Sequence, residues 1–417
     1  MKYVFISLIQ LFSFTADAQS LIQAMFYNVY RFPDRPPAQR ELILKQIFNE
    51  YRPDLFMICE LVSEKGADLI LDKALQTPWN EYRRAGFNTL DMATDDPLYQ
   101  MVFYNKSKLK LVRERVYPLP VRLLNHYTFV LNTTTLPEDS VFLEVFVVHL
   151  KSSDGAQNQQ VRLSMIEEFL QQLSKLPPDR AVLLAGDFNF YSADEPAYQK
   201  LCDSANPIAM EDPLEEPGNW HNNPAYQSVH TQSTRLSSEG FGIGGATGGM
   251  DDRFDFIIIS SGLRHGYDLY YVPGSYQTLG NNHNCFDQRI DAYDCSGTYS
   301  LSLRKLLYQM SDHAPVVMQL GTDRTLEVQN SYVNHPRLTL PQGNMTSDFL
   351  EVSLTGMTVP SGSINIRISD LTGRACMWWQ PKGQPSHNRV DVRSLRAGVY
   401  LIDIPELRST PLKFLKR

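Results

Sequence analysis

The sequence predicts an α/β domain followed by a small all-β sandwich. Three observations carry this prediction. From Leu21 to about Leu320, apolar runs of strand length alternate with stretches of helical period. After about Asp348 the helical period gives way to a period of two. Several of the apolar runs also end on a polar residue for which a packed core has no use. Rigid strands that each deliver one such residue to a common edge are how a site is assembled from positions distant in sequence.

The elements follow in order. Lys2, an apolar stretch from Tyr3 to Phe14, and Ala16-Asp17-Ala18 have the three parts of a secretory signal peptide, so residues 1–18 are expected to be removed and Gln19 to begin the mature chain. Residues 19–321 then read as one domain. The run Leu21 to Tyr27 ends at Asn28. Leu44, Ile47, Phe48 and Tyr51 share one face of a helix, which Pro53 stops. Leu55 to Cys59 is a buried strand ending at Glu60, and Val141 to Val148 is another ending at His149. Leu163, Ile166, Leu170 and Leu173 mark a second helix face, closed by Pro177 and Pro178. Ala181 to Ala185 is a strand that runs into Gly186-Asp187-Phe188-Asn189. Phe254 to Ile259 carries Asp255, and Val316 to Leu320 follows Asp312-His313-Ala314-Pro315. Residues 322–347 are linker-like. Residues 348–417 form the β-sandwich: Ile364, Ile366 and Ile368 alternate with polar residues, Asp370 to Gly373 is a turn, and strands follow at Ala375 to Trp379, Val399 to Ile404 and Leu412 to Leu415.

Composition bounds the possibilities. At 417 residues two domains are the natural expectation, and 43% hydrophobic with 20% charged residues is globular. A net charge of -7 argues against a non-specific duplex binder, although a local basic cleft can coexist with an acidic whole. No long apolar run follows the N-terminus, so no membrane span is expected in the mature chain, which is read as a monomer. Cys285 and Cys295 lie in one polar loop without a core of its own, and a local disulfide is expected there in an exported protein. Cys59 reads as a small buried hydrophobe, Cys202 and Cys376 have no evident partner, and no C-x-x-C spacing suggests a zinc site. Gly244-Gly245 and Gly248-Gly249 form a loop without the G-x-x-x-x-G-K pattern of a phosphate loop.

The strand-end residues make a coherent chemical set. A carboxylate after five apolar residues, as at Glu60, must be solvated, paired or bound to a cation. Asp187 and Asn189, two apart in an extended segment, are expected to face one site with Phe188 packed behind them. Asp255 leaves its strand opposite Phe254 and Phe256 and is suited to orient an imidazole. Asp312 beside His313 supplies an oxygen ligand and a titratable ring at one place. Glu60, Asp312 and Asn28 are hard oxygen donors that suit Mg²⁺, Mn²⁺ or Ca²⁺. Asp187 can orient or deprotonate a water, and His149 and His313 can stabilise charge on phosphate oxygens or protonate a leaving group.

These residues resemble the motifs of the endonuclease/exonuclease/phosphatase superfamily, the DNase I-like fold. They stand here as Phe26-Tyr27-Asn28-Val29, Cys59-Glu60, Val148 to Ser153, Gly186-Asp187-Phe188-Asn189, Arg253-Phe254-Asp255-Phe256 and Ser311-Asp312-His313, in the family's order. The resemblance implies a four-layered α/β sandwich and a metal-dependent phosphoesterase. It implies that Asn28 and Glu60 bind the metal with Asp312 beside it, and that Asp187 activates the water with Asn189 holding it. It further implies that His313, oriented by Asp255, contacts the phosphate and that His149 is a second catalytic imidazole. Tyr82, Tyr99 and Tyr104 are candidates to partner His149. A nuclease-type phosphodiesterase acting on nucleic acid is the leading expectation. The alternatives are a phosphatase, a phospholipid phosphodiesterase, or an inert binding protein on the same fold. The C-terminal region resembles the sorting domain of type IX secretion cargo from Bacteroidota, through Asp370 to Arg374, Leu395 to Tyr400 and Lys413 to Arg417. That resemblance implies export through a Gram-negative periplasm to the cell surface or medium, with the type IX machinery as partner.

Overall fold

The computed structural model describes residues 20–76, 81–89, 98–133, 139–326, 337–355, 365–371, 373–380, 388–405 and 411–417. The expected signal peptide, Gln19 and Ile364 lie outside the described residues. The chain divides into two units, residues 1–75 with 83–326, and residues 76–82 with 327–417.

In chain order the first part carries β1 (Ser20–Phe32), α1 (Arg40–Glu50), β2 (Leu55–Leu61), α2 (Glu64–Leu69), β3 (Tyr82–Arg84) and β4 (Tyr99–Asn105). Next come β5 (Leu109–Pro118), β6 (Leu123–Leu131), β7 (Phe142–His149), α3 (Ala156–Leu173), β8 (Ala181–Asp187), α4 (Pro196–Leu201) and β9 (Met210–Glu211). The last are β10 (Asp255–Ser260), α5 (Ser261–Arg264), β11 (Tyr270–Tyr271), β12 (Gln277–Thr278), α6 (Leu301–Met310) and β13 (Val316–Thr322). One sheet runs β11-β13-β1-β2-β4-β3, with β12 also on β13, and the other runs β5-β6-β7-β8-β10-β9. Both are mixed: β1 is parallel to β2 but antiparallel to β13, and β8 is parallel to β7 but antiparallel to β10.

Alternation builds the layers. Ile22, Ala24 and Phe26 of β1 pack in one core with Leu143, Val145 and Val147 of β7, Leu183 and Ala185 of β8, and Ile257 and Ile259 of β10. These are the facing sides of the two sheets. The other side of the second sheet (Phe146, Val148, Val182, Leu184, Phe256, Ile258) packs under Met165, Ile166, Phe169 and Leu173 of α3. On the far side of the first sheet, Phe48 of α1 meets Phe56 of β2 edge-on at 5.0 Å. The result is the expected four-layered α/β sandwich. The buried stripe of α3 is shifted from the expected one: Leu163 and Leu170 are only partly buried, and fully buried Arg162 joins the stripe. Arg162 pairs with Glu195 at 2.8 Å and donates to Lys151 O and Ser153 O, which anchors the loop after β7. The charge periodicity hid this residue, because a buried arginine needs partners that sequence spacing does not reveal.

The second part is all β. Strands β14 (Arg337–Thr339), β15 (Met345–Thr346), β16 (Phe349–Thr355), β17 (Ile366–Asp370), β18 (Ala375–Trp379), β19 (Asn388–Asp391), β20 (Gly398–Asp403) and β21 (Leu412–Lys416) form two sheets, β14-β16-β19 and β15-β21-β20-β17-β18. Leu350, Val352, Ile366, Ile368, Val390, Ile402 and Phe414 share its core. The turn expected at Asp370 forms, with Gly373 N–H donating to Asp370 O. The stretch read as linker is not all linker: β13 reaches Thr322, and β14 and β15 pair within this unit. These strands are too short to show a period by themselves.

Candidate active site

Four of the polar strand-end residues reach one place by simple alternation. Asn28 continues the face of Phe26, His149 that of Val147, Asp187 that of Ala185, and Asp255 that of Ile257. All four therefore point into the layer between the sheets. β7 and β8 contribute their C-terminal ends, whereas antiparallel β10 contributes its first residue, registered opposite Asp187. Gly186 permits this close register, since a Cβ there would lie 2.3 Å from Val148 O.

Glu60 is out of phase. Cys59 faces the shared core, so plain alternation would turn Glu60 away from it. The backbone corrects this with paired irregularities. β1 shifts register between Asn28 and Phe32, and β2 between Ile58 and Leu61, with Tyr30, Arg31 and Glu60 at φ 42°, 48° and 59°. A bulge re-aims a side chain in this way. Asn28 Nδ2 then donates to Glu60 Oε1 at 3.1 Å and to Asp187 Oδ2 at 3.1 Å, and Arg31 N–H donates to Glu60 Oε2 at 3.2 Å. Buried Arg40 holds the bulge by donating to Val29 O, Tyr30 O and Met310 O.

His313 enters from the segment before β13. Its Nδ1 lies 2.7 Å from Asp255 Oδ2, and its Nε2 lies 3.7 Å from Asp187 Oδ2. Ser311 Oγ donates to Asn28 O at 2.7 Å and accepts from His313 N–H. His149 Nε2 lies 3.5 Å from Asp187 Oδ2, and its Nδ1 has no hydrogen-bond partner among the described residues, so none of Tyr82, Tyr99 and Tyr104 fills that role. Glu60, His149 and Asp187 offer ligand atoms within 4.8 Å of one another, as do Asp187, Asp255 and His313.

One expectation needs correction. Asn189 is left-handed at φ 51°, so it does not lie two residues along an extended strand from Asp187. Its backbone N–H donates to Asp187 Oδ1 and its Nδ2 reaches Leu150 O, which steadies Asp187 through the main chain. Asp312 lies near enough to Glu60 and His313 to raise both, though it is in neither cluster of potential ligands, and its Oδ2 accepts the N–H of Ala246 from the glycine-rich loop. One residue of the site was missed altogether. Gln232 lies in a turn-rich stretch with no periodic signal, yet its amide touches His313 Nε2.

The sequence matches the Endonuclease/Exonuclease/phosphatase family over residues 25–313, from β1 to His313. The chain belongs to that family. Among solved structures, TDP2 from D. rerio complexed with single-strand DNA product is 18% identical, covering 73% of this chain and 100% of its own, with a TM-score of 0.47. The human Nocturnin catalytic domain with bound sulfate is 15% identical, with coverages of 73% and 97% and a TM-score of 0.44. A mannosyl-6-phosphatase from Bacteroides thetaiotaomicron is 14% identical, with coverages of 72% and 99% and a TM-score of 0.43. No curated protein matches the sequence.

In this member of the family the environment separates the two imidazoles. Burial, the Arg122 guanidinium and His313 push His149 well below the usual histidine range. His313 is raised well above it; burial opposes its charge, but Asp255 and Asp187 overcome that. At neutral pH the site therefore holds one neutral ring and one imidazolium. Burial pushes the Asp187 carboxyl up to about 7, with Asp255 and Glu60 adding to the rise and His313 opposing it. Burial and Asp312 also raise Glu60, and among the described residues no lysine or arginine pairs with it. Glu60 and Asp187, adjacent carboxylates with no lysine or arginine paired to either among the described residues, fit a hard divalent cation; Asn28 presents Nδ2 to both, while its Oδ1 accepts the Tyr30 N–H. Cys285 and Cys295 are disulfide-bonded as expected, while Cys59 is buried and free.

Proposed function

We propose that this chain is an exported, divalent-metal-dependent phosphoester hydrolase, with a nuclease-type phosphodiesterase as the first reading of its substrate. The observation that carries the proposal is the convergence of Asn28, Glu60, His149, Asp187 and the Asp255–His313 pair from both sheets onto one edge of the sandwich.

Glu60 and Asn28, with Asp187 in reach, would hold the cation, which supplies Lewis-acid neutralisation of a phosphate oxygen when bound. Asp187 positions the attacking water and accepts its proton, a task suited to a carboxyl titrating near neutrality. Asn189 fixes Asp187 through its backbone N–H. His313 donates from Nε2 to a phosphate oxygen, and Asp255 keeps that ring charged and oriented. His149, held neutral, can pass one proton at Nε2. Asp312 orders the glycine-rich loop through Ala246.

The test is hydrolysis by the purified chain of bis(p-nitrophenyl) phosphate, p-nitrophenyl phosphate, single-strand DNA and phospholipid vesicles, with Mg²⁺, Mn²⁺ or Ca²⁺. Turnover of at least one ester that stops in excess chelator supports the proposal; no turnover, or full turnover in chelator, refutes it. For export, residues 1–18 act as the signal and residues 348–417 as the type IX sorting domain. Secreted material should begin at Gln19 and lack the C-terminal unit by N-terminal sequencing and intact mass, and an intact Arg417 terminus would refute the sorting role.

A further inference from the structure

A second histidine–carboxylate pair stands beside the first. His221 Nδ1 lies 2.7 Å from Asp252 Oδ1, the same contact that joins His313 Nδ1 to Asp255. The difference is exposure: the His221 side chain is 48% exposed, whereas His313 and Asp255 are buried. With Nδ1 taken by Asp252, the outward edge of His221 is Nε2.

Gln232 links the two pairs. It forms one bridge with Asp252 through paired N–H···O contacts and another with His313 on its other side. Residues paired across a bridge project their side chains to the same face. Asp252, Gln232 and His313 therefore form a row on one face, and two bridge spacings put the outer members about 10 Å apart. A phosphate at His313 Nε2 would have Gln232 between it and the His221–Asp252 pair. Tyr191, two residues beyond Asn189, backs the His221 ring at 5.0 Å, and its carbonyl accepts the His221 backbone N–H.

The charge around this outer pair sets what it can take. Asp252 contacts the His221 imidazole and Asp251 lies near it, with Asp287 close to Asp251; burial, then Asp252 and Asp287, push the Asp251 carboxyl up to about 6, and the charge of Asp154 acts on Tyr191. His230, underneath, is buried with both ring nitrogens against the carbonyls of Met250 and Trp220. A second phosphate here would face net negative charge. A hydroxyl would find both donors and acceptors.

We propose that His221, held by Asp252, contacts the alcohol side of the phosphoester, and that this alcohol is an uncharged, hydroxyl-rich group such as the sugar of a nucleotide without a further phosphate. The inference rests on the phosphoesterase reading and narrows it to terminal esters over internal positions of a long polyanion.

The test is calorimetric binding to the full chain with Ca²⁺ at low ionic strength, using adenosine 5′-monophosphate against adenosine 3′,5′-bisphosphate. The monophosphate should bind at least about tenfold more tightly, and salt should shrink that gap by screening. His221→Gln, which alters a half-exposed side chain, should weaken monophosphate binding by about three- to tenfold, the size of one hydrogen bond. A combined Asp251→Asn and Asp287→Asn variant should narrow the gap between the two ligands. Equal affinities, tighter bisphosphate binding, no binding of either nucleotide, or unchanged monophosphate affinity in His221→Gln would each overturn the proposal. Hydrolysis of the p-nitrophenyl esters separates the two failures. If it persists, only this inference falls; if it is absent, the phosphoesterase reading falls with it.

Discussion

Replacing Asp255 with asparagine isolates the electrostatic part of the proposed mechanism. The substitution is nearly isosteric, and both partners are buried, so the ring keeps its neighbours while losing the charge that faces Nδ1 at 2.7 Å. Asp255 is the leading influence that raises His313, so the variant ring loses its proton at a lower pH. A charge-assisted hydrogen bond in such a site contributes about 1 kcal/mol more than a neutral one, which at 1.36 kcal/mol per decade is about fivefold in kcat at pH 7.5. The sign of the pH effect is distinctive. In the wild type, activity falls on the acid side as Asp187 takes up a proton, at a pH that the bound cation lowers from about 7 in the metal-free site. In Asp255→Asn the alkaline side also falls early, because His313 deprotonates sooner, and the acid side moves down because Asp187 loses a charge that raised it, so the optimum moves to lower pH. The assay is kcat against pH with a soluble p-nitrophenyl ester at saturating Mg²⁺, alongside a melting transition. A variant with unchanged kcat and an unshifted profile refutes the assignment of His313 as a charged group held by Asp255.

Three further outcomes are expected. Asp187→Ala and His313→Ala should each lower kcat by at least about a hundredfold without unfolding the chain, and their effects should not add because they share one site; steady-state kinetics of the single and double variants decide it. Mg²⁺ or Mn²⁺ should raise the melting temperature and Glu60→Gln should abolish that rise; because the cation competes with the proton on Asp187, affinity measured by calorimetry should weaken up to about tenfold per unit as pH falls below about 7, and a pH-independent affinity would count against Asp187 as a neighbour of the cation. Gly186→Ala sets a methyl against Val148 O and should cost about 1–3 kcal/mol in chemical denaturation while also lowering kcat, since it pushes β8 from β7 where His149 and Asp187 are registered.

The elements show where the sequence was legible. The strands around Leu21, Val141, Ala181 and Phe254 were visible because each is an apolar run closed by a polar residue, and their alternation placed Asn28, His149, Asp187 and Asp255 on the correct face. The disulfide was legible because both cysteines sit in one short polar loop. The strands at Arg337, Met345 and Asn388 were not, since short strands carry little periodic signal. Asn189 was misplaced because a left-handed residue looks the same in sequence as an extended one. Gln232 and the His221–Asp252 pair lie in irregular chain, where nothing in spacing reports a neighbour.

The sequence by itself determined the layers and the residue types of the site, because periodicity states which face of each strand is buried and a strand end states where a polar residue can remain. Only the tertiary structure decided how those residues meet. Glu60 lies on the wrong face by its period and joins the site through paired bulges locked by Arg40. Asp312 accepts from the glycine-rich loop while its charge acts on Glu60 and His313, and His313 is raised because two carboxylates from other strands lie beside it. Bulges, registers and charge neighbours depend on contacts between segments far apart in the chain, and no local pattern encodes them.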